Sequence, residues 1–263
     1  ITLTEVNDAP VLSSDGAGSV TAGSVNQGAA VSITLTATDE ESDDATFSEG
    51  ASCPDWITVG DGGANDMTGS LSADASEITD ARVGDHDCDI SITDGTTSAL
   101  YTYTLTIAEI NDEPTLTGTG VTSTFTEGGN NLVLYTAANA ADSDSQATQT
   151  FLSFVMTVTN VQDTEEYLVI DGSDCDITTA ATCVTDTAGS SMAVVVSLVG
   201  TTATVTVTAD AGGISESALE SILTSIAYKN TDDSPTTAAQ RVATITTLQD
   251  NGGSANSNDD SVT

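Results

Sequence analysis

Basic residues are almost missing from this sequence: three Lys plus Arg stand against 40 Asp plus Glu, for a formal net charge of −37. With only Arg82, Lys229 and Arg241 to neutralise phosphates, nucleic acid is excluded as a partner and an anionic membrane surface is disfavoured. Histidine occurs once, at His86, and the four cysteines form no CxxC pair, so no zinc site is expected. His86, flanked by acids in Gly84-Asp85-His86-Asp87-Cys88, reads as a loop residue. Nothing resembles a nucleophile elbow, and the Gly-Gly pairs starting at Gly62, Gly128, Gly212 and Gly252 read as turns because no phosphate-loop lysine follows them. A carboxylate pair for glycoside hydrolysis can be drawn at will from so many acids and therefore identifies nothing. The chain is expected not to be an enzyme. No apolar run approaches a membrane-spanning length, so membrane insertion is not expected. With no leader at its start, the chain reads as a mature or excerpted segment.

What is present points to β-structure. Of the 263 residues 38% are hydrophobic and only 4% aromatic, so the core must come from Val, Ile, Leu and Ala, padded by Thr and Ser. Val31, Ile33 and Leu35 alternate with Ser32, Thr34 and Thr36. Tyr101, Tyr103, Leu105 and Ile107 do likewise, as do Leu152, Phe154, Met156 and Val158, and as do Val205 and Val207 after a turn near Gly200. This period of two predicts half-buried antiparallel strands. Leu219, Ile222, Leu223 and Ile226 instead follow helical spacing, which predicts a short helix capped by Ser215, with Ile214 and Leu219 forming a hydrophobic staple.

A boundary repeats. Ile1 to Pro10 reads ITLTEVNDAP and Leu105 to Pro114 reads LTIAEINDEP, each a strand followed by Asn-Asp-x-Pro. The expected organisation is all-β: a strand and linker at 1–10, a sandwich at 11–113, and a larger sandwich with one short helix at 114–263. By pattern, the strand at residues 1–8 completes a preceding copy of the second sandwich, which ends at Thr263 without its own final strand. Donation of that strand would join copies of the chain head to tail.

Asn7-Asp8-Ala9-Pro10 and Asn111-Asp112-Glu113-Pro114 resemble the linkers of cadherin-like repeats in giant bacterial surface adhesins. Ala37-Thr38-Asp39-Glu40-Glu41-Ser42-Asp43, Pro54-Asp55-Trp56-Ile57 and Ile92-Thr93-Asp94-Gly95 are similar to the dystroglycan-type cadherin-like, or immunoglobulin-like, repeat. Phe125-Thr126-Glu127-Gly128-Gly129, Asp142-Ser143-Asp144, Ile226 to Asn230 and Leu248 to Gly253 resemble a longer repeat of the same large proteins. The first repeat departs from the pattern, carrying Val20-Thr21-Ala22-Gly23 where its first strand would hold a glutamate. The resemblance implies tandem β-sandwiches, Ca2+ at their junctions, and adhesive or structural work on an extracellular surface.

Calcium takes six to eight oxygen ligands, and the acidic loops offer them. Glu5, Asn7 and Asp8 lie in one linker, with Asp39, Glu41 and Asp43 as expected partners; Glu109, Asn111 and Asp112 lie in the other, with Asp142 and Asp144. The repeat motifs add Asp94, Glu127 and Asp250. A solvated acidic surface, or adaptation to a saline medium, is the alternative reading of so much acid. Cys53 with Cys88 and Cys175 with Cys183 fall two per domain, which suits two disulfides and an oxidising compartment, with buried free thiols as the alternative. The expected function is a structural unit of a calcium-stabilised extracellular fibre, whose partners are copies of itself. The alternatives are a module binding glycans or a host or neighbour cell surface, and more distantly an accessory domain of a secreted hydrolase.

Overall fold

The computed structural model describes the chain apart from residues 1–3, 5, 14–22, 42–43, 65, 143, 145–148, 188–189, 253–256 and 259–263, and apart from the side chains at 186, 187, 190, 257 and 258. The chain divides into two compact units, residues 1–110 and 111–263.

The first unit holds β1 (Val11–Leu12), β2 (Ser24–Asn26), β3 (Val31–Thr38), β4 (Thr46–Glu49), β5 (Thr58–Asp61), β6 (Thr68–Ala73), β7 (Gly84–Thr93) and β8 (Ser98–Ala108). They form two four-stranded sheets, ordered β1-β3-β6-β5 and β2-β8-β7-β4. The inward side chains of both, among them Val31, Leu35, Leu71, Phe47, Ile90, Ile92 and Leu105, share one buried core. This is a β-sandwich: alternation puts one face of each strand inside and leaves Thr, Ser and Asp outside. Where the sheets close up, Gly69 on β6 lies under Phe47 of β4, and a Cβ there would come within 2.5 Å of the ring. Antiparallel pairing has one exception, since β2 runs parallel to β8. His86, expected in a loop, lies within β7, where its Nε2 meets the Arg82 carbonyl at 2.6 Å. Strand pairing with Leu105 fixes it there.

The second unit holds β9 (Thr115–Gly120), β10 (Leu132–Val133), β11 (Tyr135–Ala141), β12 (Phe151–Thr159), β13 (Glu166–Ile170), β14 (Ser173–Asp176), β15 (Ala181–Thr187), β16 (Ser190–Val199), β17 (Thr202–Ala209), β18 (Ala227–Asn230), β19 (Val242–Asp250) and β20 (Ser257–Asn258). A six-stranded sheet, β15-β16-β17-β12-β19-β20, faces a four-stranded one, β10-β18-β13-β14, with β9 and β11 as a separate pair. Helix α1 (Glu216–Ser225) joins β17 to β18. The Ser215 hydroxyl accepts from the Ala218 amide at 3.3 Å, and Ile214, Leu219, Ile222 and Leu223 are buried in the unit's core. The expected face on β12 is displaced at its start, because a bulge between Phe151 and Ser153 sends Phe151 rather than Leu152 into the core.

Three strands of the six-stranded sheet present an uncharged outer face. On β17 it presents Thr202, Thr204, Thr206 and Thr208, and on β12 Ser153, Val155, Thr157 and Thr159. On β16 it presents Ala193, Val195, Ser197 and Val199. None of these twelve side chains is charged.

Half of the expected strand at 1–8, residues 1–3 and 5, lies outside the described residues; Thr4 and Val6 to Pro10 belong to no strand.

Candidate metal centre

The register of the first strand pair in each unit places the acids. In the second unit Pro114 is followed by Thr115, which pairs with Ala141, so Asp142 is set beside the Asn111–Pro114 loop. In the first unit Pro10 is followed by Val11, which pairs with Thr38, so Asp39 is set beside the Asn7–Pro10 loop. A third carboxylate arrives at a strand end, Asp250 at the end of β19 and Asp94 just after β7.

The same hydrogen bonds then form twice. Asn111 Nδ2 donates to the Asp112 carbonyl at 2.9 Å and to Asp250 Oδ2 at 3.2 Å, while Asn7 Nδ2 donates to the Asp8 carbonyl at 3.1 Å and to Asp94 Oδ2 at 2.8 Å. The Asp112 amide donates to Asp144 Oδ1 at 2.6 Å, and the Asp8 amide to Glu41 Oε2 at 3.5 Å. The Asp144 amide donates to Asp142 Oδ1 at 3.1 Å, and the Glu41 amide to Asp39 Oδ1 at 3.0 Å. Asn7, Asp8, Asp39, Glu41 and Asp94 thus correspond one for one to Asn111, Asp112, Asp142, Asp144 and Asp250.

The two copies differ in closeness. Among the described residues, Asp142, Asp144 and Asp250 are the trio whose carboxylate oxygens all lie within 4.8 Å of one another. Asp250 is 0% exposed, and the Oδ2 atoms of Asp142 and Asp144 are shut off from solvent. Gly252 closes the site: its amide donates to Asp250 Oδ1 at 2.9 Å, and a Cβ on it would fall 0.9 Å from Asn111 Oδ1. In the first unit Asp94 also accepts from the Thr97 and Thr96 amides at 2.7 and 2.6 Å. The Thr97 amide, with the Asn7 side chain and the Thr96 amide, holds the Asp94 carboxyl well below the usual carboxylate range. Glu41 is pushed up, by desolvation first and by the neighbouring charge of Asp39 as well.

Of the remaining expected ligands, two are described and do not belong to the trio, and two lie outside the described residues. Glu109 is half-buried after β8, and Glu127 is exposed in the turn that follows Phe125, outside the trio. Glu5 and Asp43 lie outside the described residues. Sequence reading missed Thr97 and took Gly252, inside the Leu248 to Gly253 motif, only as a turn residue.

All three basic side chains are engaged elsewhere. Arg82 pairs with Glu77, Lys229 with Asp174, and Arg241 with Asp163 and Glu166. The donors offered at both loops are hard oxygens from carboxylates, an amide and main-chain carbonyls, which suit calcium rather than a thiolate- or imidazole-seeking metal.

No protein-family model and no curated protein sequence matches the chain. Among solved structures it is similar to human protocadherin-24 EC1-2, with 13% identity over 77% of this chain and 95% of that one, at a TM-score of 0.43. It is similar to protocadherin gamma B7 extracellular cadherin domains 1-4, with 14% identity over 89% of this chain and 49% of that one, at a TM-score of 0.40. An endo-fucoidan hydrolase of glycoside hydrolase family 107 matches at 17% identity over 96% of this chain, at a TM-score of 0.34. The chain spans 28% of that hydrolase's length. These likenesses are remote.

Two other constellations accompany the loops. In the first unit Trp56 stacks edge-on against His86 at 5.1 Å and under the Arg82 guanidinium at 4.8 Å, lining a groove of about 720 Å³ with Asp55, Asp74 and Glu77. Two disulfides, Cys53–Cys88 and Cys175–Cys183, tie one loop in each unit, and no described cysteine is free.

Proposed function

We propose that the chain is a tandem module of an extracellular structural or adhesive protein, and that each unit binds calcium at its Asn-Asp-x-Pro loop. The observation that carries this reading is the duplication: two sandwiches of different size and strand number build one hydrogen-bond set from corresponding residues. Packing alone gives no reason for it. Carboxylates held that close repel one another, and a shared divalent cation relieves the repulsion. Asp142, Asp144 and Asp250 with Asn111 would hold the ion in the second unit, and Asp39, Glu41 and Asp94 with Asn7 in the first. Two disulfides in so acidic a chain fit an oxidising, extracytoplasmic setting. On this reading the module has no catalytic role, and copies of it follow one another head to tail, as the repeated strand-Asn-Asp-x-Pro segment implies.

Calorimetry decides it. Chelated protein should melt lower than protein in millimolar Ca2+, having lost about 1.4 kcal/mol of stability per site where calcium stands tenfold above the Kd. Asp250→Asn should remove most of the second unit's share while leaving the fold, read by circular dichroism, intact. An unchanged melting temperature with and without calcium would sink the proposal. Head-to-tail association is read separately by sedimentation, where a chain that stays monomeric in calcium counts against it.

The glycan-binding reading has one observation in its favour, the half-exposed Trp56 in its groove. Retention of the wild type, but not of Trp56→Ala, on an immobilised polysaccharide would support it.

A further inference from the structure

In the first unit the end of β8 is held between two walls: it runs parallel to β2, with Thr106 opposite Ser24 and Ala108 opposite Asn26, and antiparallel to the start of β7, with Leu105 opposite His86 and Ile107 opposite Gly84. Leu105 and Ile107 are buried in the core there. In the second unit β19 stands where β7 does, since it leads into Asp250 as β7 leads into Asp94. Residues 121–125 take the place of β2, between β9 and β11 as β2 is between β1 and β3, but they belong to no strand. Among the described residues, a groove of about 540 Å³ lies open between residues 121–125 and residues 240–243. Phe125, Leu134 and Ala243, which pack on the core yet are only partly buried, line it together with Val158, Leu168 and Tyr228. We propose that this groove takes up residues 1–6 of a second copy of the chain as a β-strand, with Ile1 and Leu3 turned into it. The inference rests on the head-to-tail reading and gives it a receiving site.

The first unit shows what fills such a place. Its own filler, residues 105–110, reads LTIAEI, and residues 1–6 read ITLTEV, so that Ile1, Leu3 and Glu5 correspond to Leu105, Ile107 and Glu109. Residues 105–110 belong to the unit ahead of Asn111, so a segment of this pattern completes the sandwich that precedes its Asn-Asp-x-Pro loop. Asn7 is held in its own first unit by Asp94 Oδ2 at 2.8 Å and Thr97 Oγ1 at 2.9 Å. By the same rule residues 1–6 complete a second unit that stands ahead of that first one, which is another copy's. Strand addition gives main-chain hydrogen bonds along both walls, as the Thr106 amide donates to the Gly23 carbonyl at 3.2 Å and the Gln27 amide to the Ala108 carbonyl at 2.9 Å in the first unit. Alternate side chains, Ile1 and Leu3, then cover the apolar floor.

Peptide binding tests the groove apart from assembly. A labelled peptide of residues 1–8 is titrated in millimolar Ca2+ with the Leu3→Asp chain, whose own segment cannot compete, and its fluorescence anisotropy should rise to saturation between about 10 µM and 1 mM chain. Leu3→Asp in the peptide should weaken binding at least tenfold. Val121→Asp, at a partly buried position of the groove wall, should do the same with the circular dichroism of the chain unchanged. Absence of saturable binding overturns the proposal, and so does a Leu3→Asp peptide that binds equally well. Sedimentation then reads assembly: the Leu3→Asp and Val121→Asp chains mixed in equal amounts should form a dimer and nothing longer, since one lacks the strand and the other the groove. Peptide that binds while wild-type chains stay monomeric in calcium supports the groove and counts against head-to-tail association. Wild-type association that Leu3→Asp preserves leaves the copies joined and overturns the strand's role.

Discussion

Arg241 is enclosed by acids to a degree the surface charge would not suggest. Its Nη2 lies 2.9 Å from Asp163 Oδ2 and 2.8 Å from Glu166 Oε1, and its Nη1 donates to the Thr236 and Ala239 carbonyls. Glu166, 0% exposed, also takes the Tyr228 hydroxyl at 2.8 Å and the Gln162 and Asp163 amides. Burial alone would raise its pKa, but the Arg241 contact and these donors outweigh burial and hold it low; Asp163 is held low in the same way by Thr236, Asn230 and Arg241. Arg241→Ala leaves two carboxylates buried without their cation and should cost about 3–5 kcal/mol in urea unfolding. Both carboxyl pKa values are depressed in the folded state, so their stabilisation is present above the unfolded value near pH 4 and is lost as pH falls through the folded ones. The wild-type melting temperature should therefore fall below about pH 4, and Arg241→Ala should flatten that fall. This network was invisible in the sequence, because no spacing joins 163, 166 and 241. At Gly252 the constraint is steric: Gly252→Ala forces Asn111 out of its place and should abolish the calcium-dependent rise in melting temperature of the second unit, while its core still folds.

Elements were more legible than residues where local physics decides. The α1 cap and its apolar stripe are written within a dozen residues, and Ser215→Ala should cost about 1 kcal/mol, measured by chemical denaturation. The alternation on β3, β8 and β17 was equally plain. The β12 bulge was not, since it depends on how Phe151 and Ser153 meet Asp250 and Gln249 across the sheet. The parallel pairing of β2 with β8 joins segments some 80 residues apart, which pattern cannot reveal. His86 misled for a different reason: a run of acids reads as loop, yet Asp85, Asp87 and Asp89 are the outward positions of β7. Disulfides act at this scale too. Removing Cys53–Cys88, a closure of 35 residues, should cost about 4 kcal/mol in the chain-entropy model, and removing Cys175–Cys183, a closure of 8, about 2.5 kcal/mol. Differential scanning of the two serine double variants checks the order.

For the whole molecule, net charge exerts an influence that no single contact reveals. A chain at −37 repels itself, so in chelator its melting temperature should climb with NaCl up to about 0.5 M and then level off. Composition announced that much, and the all-β sandwich class with it. Which of 40 acids gather was legible only through the duplicated Asn-Asp-x-Pro segment, which marked both loops. Three of the acids that do not gather, the outward row on β7, are each tied to a threonine. Thr102, Thr104 and Thr106 on β8 donate to Asp89, Asp87 and Asp85 on β7 at 2.7, 2.6 and 2.6 Å. Alternate positions on one strand stand about 6.7 Å apart, whereas two oxygens on one calcium ion can be at most about 5 Å apart. Each rung therefore detains its carboxylate beyond bridging distance of the next, and the row can hold a diffuse cloud of sodium but not chelate. Threonine in this way acts as a governor on stoichiometry: it keeps the acidic row of β7 from competing with the few loops where carboxylates converge.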